Sequence, residues 1–140
     1  MIKDWNDPEF CLLKVRENSL NLEYVKEQTI DICLEAVKSD GLALRFVKNQ
    51  TPEICLEAVK SDGYAIAFVM NQTHEICLEA VKRHGLALEY VKEQTPLIIH
   101  YLKKYHISIY ESFKKENRIT IPDNEMVEFY EENPHLLLTL

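Results

Sequence analysis

Apolar and polar positions alternate along the first two thirds of the chain with a beat of 22 residues, each beat holding two short helical patterns. In PEICLEAVKSDGYAIAFVMNQT, residues 52–73, Ile54, Cys55, Ala58 and Val59 recur at helical spacing, while Glu57 and Lys60 take the wet side. Thr51 supplies the N-cap, Pro52 stands at the first helical position where its missing N–H costs nothing, and Glu53 complements the positive helix end. Asp62-Gly63 ends this helix, with the glycine expected in the left-handed C′ conformation. A second, shorter helix is predicted from Tyr64 to about Asn71, turning Ala65, Phe68 and Val69 inward.

The same phase governs the other units. Gln-Thr pairs stand at 28–29, 50–51, 72–73 and 94–95, the cysteines are Cys11, Cys33, Cys55 and Cys77, and the glycines are Gly41, Gly63 and Gly85. Four units follow, at 8–29, 30–51, 52–73 and 74–95, forming an array over residues 1–95. A hairpin of 22 residues cannot bury its own apolar face, so the units must stack. The fold class is therefore all-α, an α-solenoid of four helix-turn-helix repeats. In the first unit Asp7-Pro8 replaces Thr-Pro, Asn18-Ser19 replaces Asp-Gly, and Trp5 is placed to pack on the first turn.

Beyond Thr95 the beat decays. Pro96-Leu97-Ile98-Ile99 still opens a helix, but His100 and Tyr101 replace Leu-Glu and no glycine follows. Residues 96–140 are read as a helical C-terminal cap within the same domain, with Arg118–Ile121 non-helical, a turn at Pro122–Glu125 and a last helix ending near Glu132. His135 to Leu140 form an apolar tail that has to dock, the face of the third unit being one place for it.

Charge narrows the function. Sixteen Lys and Arg against twenty-three Asp and Glu give a formal charge of −7, which disfavours direct nucleic-acid binding. No run approaches the roughly 18 apolar residues of a membrane span, and Met1-Ile2-Lys3-Asp4 meets an acid before any signal-peptide core. A cytoplasmic protein with no membrane contact is expected.

At CLEAVKSDG, ALRFVKNQT, CLEAVKSDGYAIAFVMNQT and CLEAVKRHGLALEYVKEQT the chain resembles the repeats of the domain-of-unknown-function 4116 family, over about residues 8–95. Those repeats are frequent in giant viruses of amoebae and occur in some bacteria. The resemblance implies a helical repeat protein, of viral or phage origin among the possibilities, and carries over no functional residue.

The chemical candidates are few. Equivalent helices of neighbouring units should lie about 8–10 Å apart, too far for a disulfide, which needs Cα atoms within about 7 Å, and the paired spacings of a zinc site are missing. The cysteines read as small buried residues. Cys77 and His74, three apart, are the nearest approach to a nucleophile–base pair, but His74 simply occupies the helix-opening proline position. No catalytic residue, metal or cofactor is expected. The glutamine ladder reads as a structural device serving helix ends, because a scaffold position is the same in every unit whereas a binding position varies.

Variation points to the outer side of the second helices. One position reads Glu23, Arg45, Ala67, Glu89; the next reads Lys26, Lys48, Met70, Lys92; a third reads Glu27, Asn49, Asn71, Glu93. Ala67, Met70 and Asn71 make an uncharged island with Arg45, Lys48, Glu89 and Lys92 as its rim, the expected contact site for a protein partner. The expected function is a non-catalytic interaction scaffold. The alternative is an acidic inhibitor or nucleic-acid mimic that blocks a basic partner through Asp123, Glu125, Glu128, Glu131 and Glu132.

Overall fold

A computed structural model describes residues 4–138. The opening Met1–Lys3 and the last two residues of the apolar tail lie outside the described residues. The described residues hold eight α-helices and four 3₁₀ helices, written η, the first four α-helices alternating with the 3₁₀ helices through the repeats: α1 (Pro8–Glu17), η1 (Ser19–Tyr24), α2 (Ile30–Ser39), η2 (Gly41–Phe46), α3 (Pro52–Ser61), η3 (Gly63–Phe68), α4 (His74–Arg83) and η4 (Gly85–Tyr90). After these come α5 (Pro96–Tyr105), α6 (Ile107–Lys115), α7 (Asp123–Glu132) and α8 (Pro134–Leu137). No strand occurs among the described residues.

The first helix of each unit forms as its caps require. Thr29, Thr51, Thr73 and Thr95 each accept through Oγ1 from the backbone N–H three residues on, at 3.2–3.4 Å, and Asp7 takes the same part for α1. Ile54, Cys55, Ala58 and Val59 are buried, as are their counterparts Ile76, Cys77, Ala80 and Val81. Neighbouring α-helices pack side by side from α1 to α5, and η1 to η4 form a second row beneath them, so one core runs the length of the solenoid.

The second element of each hairpin differs from the expected short α-helix. It is a six-residue 3₁₀ helix that ends at Phe68 rather than near Asn71. Its turn is closed by Ala65 N–H donating to the Asp62 carbonyl at 2.9 Å, with Asp62 Oδ1 accepting from Tyr64 N–H at 2.9 Å. Three residues per turn put Ile66 and Val69 on one face, and both are buried with Ala65. Phe68, expected inside, lies at the surface.

The glycines also have another cause than expected. None has a positive φ; Asn117, at φ 56° behind α6, is the only described residue that does. Each glycine is the place where one unit touches the next. A Cβ on Gly63 would stand 2.6 Å from the Ala80 carbonyl oxygen of α4, and one on Gly41 would meet the Ala58 carbonyl of α3. Close approach of η-row backbone to the following helix sets the stacking distance.

Past Thr95 the array closes with a distorted fifth unit. α6 follows η4 in the second row and packs on α5, while α7 takes the place beside α5 that a sixth repeat helix would fill. His100, in the register of Leu34, Leu56 and Leu78, is fully buried there, and its Nδ1 lies 3.0 Å from the Tyr130 hydroxyl of α7. Burial, and after it Lys104 and Lys103, hold the His100 imidazole below its ordinary pKa. α8 packs on α7 and leaves Leu137 and Leu138 exposed, so the described part of the tail does not cover the third unit.

Gly63→Val places branched carbon against the Ala80 carbonyl and should cost about 1–3 kcal/mol through forced separation of units three and four. Thermal unfolding followed by circular dichroism checks this; an unchanged Tm would mean that the units do not meet at Gly63.

Candidate interaction site

The geometry of the glutamine ladder decides which surface is scaffold and which is free. Each glutamine carboxamide spans to the next unit and pairs with an extended backbone stretch just behind the 3₁₀ helix. Gln50 Nε2 donates to the Phe68 carbonyl at 2.8 Å, and its Oε1 accepts from Met70 N–H at 3.0 Å. Gln28 holds Phe46 and Lys48 in the same way at 2.8 and 2.9 Å, and Gln72 holds Tyr90 and Lys92 at 2.9 and 3.0 Å. A primary amide is the side chain that matches one carbonyl and one N–H at this spacing. The acceptor oxygen also takes the thiol of the cysteine five residues on, with Sγ at 3.4–3.7 Å for Cys33, Cys55 and Cys77.

Gln94 has no regular 3₁₀ turn to hold in the distorted fifth unit, and it clamps the cap backbone instead: Nε2 donates to the Arg118 carbonyl at 2.9 Å, and Oε1 accepts from Thr120 N–H at 2.8 Å. The non-helical Arg118–Ile121 stretch is thus shaped to imitate the backbone of a repeat. At the other end the ladder has no clamp. Asn6 stands in glutamine register, and the Cys11 thiol turns to the Trp5 carbonyl at 3.3 Å.

The cysteines are buried and free, and burial pushes the thiols of Cys33, Cys55 and Cys77 above their usual pKa. His74 does not address Cys77; its Nδ1 lies 3.3 Å from Thr95 Oγ1. No group of three or more His, Cys, Asp or Glu converges on a metal-sized space among the described residues. No helix among them is long and apolar enough to cross a membrane.

The structure divides the uncharged island. Ala67 and Arg45 lie on the η row, in a hollow of about 270 Å³ lined also by Leu20, Leu42, Tyr64, Phe68 and Tyr90. Met70, Asn71 and Lys92 belong to a separate groove of about 420 Å³ between unit ends, with Gln72, His74 and Glu93. Lys48 lies with Met70 and Asn71 in a third hollow on the preceding unit. Met70 is 68% exposed. Part of its difference from its sisters is structural, since Lys48 Nζ reaches the Lys26 carbonyl at 3.2 Å and Lys92 Nζ the Met70 carbonyl at 3.4 Å, whereas a methionine cannot donate. Glu89 is bound to Arg118 at 3.1 Å, so it stands outside the hollow as part of the cap contact.

Sequence reasoning missed the aromatic lining. Tyr24, Phe46, Phe68 and Tyr90 occupy one register position, and Leu20, Leu42, Tyr64 and Leu86 another; read as a buried helix face, the first set had no claim to the surface. The 3₁₀ geometry brings Tyr24, Phe68 and Tyr90 of that set to the surface, with Phe46 half-buried and Leu86 of the second set exposed beside them. Ala67 is the small residue that opens the hollow between them.

Asp123, Glu125, Glu128, Glu131 and Glu132 are all exposed on α7, and only Asp123 meets a described cation, Lys114 at 3.3 Å. A hollow under this helix is lined by Glu125, Glu128, Glu132 and Phe129.

Comparison with protein families matches three overlapping stretches, residues 7–51, 29–73 and 51–95, each two units long and each displaced by one repeat. The chain belongs to the DUF4116 family. That family's description is a domain of unknown function, so membership explains the repeat and not its use. No curated protein and no solved structure matches the chain.

The buried thiols should react slowly with Ellman's reagent in the native protein at pH 8 and fully on unfolding. Rapid native reaction of Cys77 would contradict its placement beneath Gln72.

Proposed function

We propose that the chain is a non-catalytic interaction module that docks a partner protein through the outer face of its 3₁₀ row. The observation that carries this reading is the hollow floored by Ala67 and walled by Leu42, Tyr64, Phe68 and Tyr90. Three features support it. The solenoid fixes these side chains on rigid elements, so little order is lost on docking. Large aromatics beside a small residue make the kind of pocket that receives an apolar anchor. Arg45, 4.6 Å from the Phe46 ring at the guanidinium carbon, sets a charged edge to it. Met70 and Asn71 lie on another groove and are not part of this contact.

The two grooves separate in one experiment, a pull-down from an extract of the source cells with wild-type chain, Ala67→Glu and Met70→Lys, all checked for native folding. Capture by wild type should persist at about 1 M salt, where screening falls to about 3 Å, should be lost with Ala67→Glu, and should survive Met70→Lys. Loss with Met70→Lys alone would move the site to the other groove, and capture that vanishes with salt would overturn apolar docking.

A further inference from the structure

The chain carries a basic and an acidic excess that, among the described residues, meet in an ion pair only at Lys114 and Asp123. Residues 82–118 hold eight Lys and Arg against four Asp and Glu, although the whole chain is at −7. Residues 119–138 hold five acids and no Lys or Arg. The basic excess has a definite place. In α3 and α4 the lysine of the outer face answers a glutamate three residues earlier, Lys60 with Glu57 at 3.7 Å and Lys82 with Glu79 at 3.6 Å. In α5 the glutamate of that register is Tyr101, so Lys104 has no described carboxylate within ion-pair distance, and neither has Arg83, which stands where the second and third units have Ser39 and Ser61.

The result is a cationic and aromatic edge across α4 and α5. Lys82 Nζ lies 4.2 Å from the centre of the Tyr101 ring, Tyr101 and Tyr105 stack at 5.6 Å with 7° between planes, and Lys104 Nζ lies 5.0 Å from Tyr105. Tyr105 and Ile107 are exposed beside it. The acidic excess lies on α7, where Glu125, Glu128, Glu131 and Glu132 meet no described cation and Val127 is exposed among them.

We infer that this edge is the docking surface for α7 of a second copy of the chain, in a two-fold dimer where each copy's acidic helix lies on the other's Arg83, Tyr101 and Lys104. Charge complementarity selects this occupant, because both halves of the contact stand without an ion-pair partner in one molecule, Arg83 and the α7 glutamates exposed and Tyr101 and Lys104 half-buried, and exposed apolar residues accompany each half. A single-stranded nucleic acid fits less well. The faces of Tyr101 are taken by Lys82 and Tyr105 rather than open to a base, and the net charge repels phosphate. The proposal is independent of the Ala67 hollow.

Sedimentation equilibrium over a range of salt tests it, with circular dichroism confirming that the surface variants keep the wild-type melt. Wild type should be dimeric at low salt and dissociate as salt rises. Arg83→Glu/Lys104→Glu and Glu128→Lys/Glu132→Lys should each raise the dimer dissociation constant at least tenfold, and mixing the two variants should restore dimer, since each then offers the other a complementary pair. A chain that is monomeric at all salts overturns the proposal, as does a dimer that neither variant weakens. Wild type that stays monomeric but binds a fluorescent oligothymidylate with loss in Arg83→Glu/Lys104→Glu assigns the edge to nucleic acid instead.

Discussion

One hydrogen-bonded pair holds the registry of this molecule: a glutamine amide of one unit laid against a carbonyl and an N–H of the next. A 22-residue hairpin has too little apolar surface to be stable alone, and its 3₁₀ helix leaves the following backbone extended, with polar groups that would otherwise face the seam between units. The carboxamide satisfies one donor and one acceptor at once. The net gain from each bond is about 0.5–1.5 kcal/mol, small beside the apolar burial of Ile54, Val59, Ile76 and Val81. Its larger effect is directional. Apolar stacking tolerates sliding, whereas an amide paired at both atoms fixes one register.

The ends of the array follow from the same pair. At the C-terminus Gln94 finds Arg118 and Thr120, so the cap is recognised as a repeat although its sequence is not one. Propagation then stops, because Pro122 stands two residues after Thr120, where Gln50 follows Lys48 and Gln72 follows Met70, and its side chain has no amide to offer. At the N-terminus the carbonyl of Tyr24 and the N–H of Lys26 have the register of clamped groups but no preceding glutamine. Trp5, with ring centre 5.4 Å from that of Tyr24, covers the end with hydrophobic contact instead.

Much of this was legible in the sequence, and the reason is repetition. The 22-residue period, the threonine caps, the buried cysteines and the structural part of the glutamines all follow from residues that recur, since a recurring polar residue has to serve the scaffold. What was not legible depends on distances between units. Gly41, Gly63 and Gly85 looked like left-handed helix ends because sequence shows a chain position and not the Ala58 or Ala80 carbonyl packed against it. Phe68 looked buried because an α-helical wheel was applied to a 3₁₀ turn. That one change of pitch moved an aromatic row to the surface and separated Ala67 from Met70, so the candidate site is partly the expected one and partly new. The basic edge on α4 and α5 escaped notice because its cations stand one unit apart in sequence and meet only through stacking.

The central claim, that glutamine amides lock each unit to the next, is tested most directly by backbone amide hydrogen exchange resolved residue by residue. Lys48, Met70, Lys92 and Thr120 have N–H groups held by a glutamine, whereas Lys26 has the same register and no glutamine before it. The first four should be protected and Lys26 should exchange freely, with Gln72→Ala releasing Lys92 before the others. Exchange of Lys92 as fast as that of Lys26 in the wild-type chain would contradict the account.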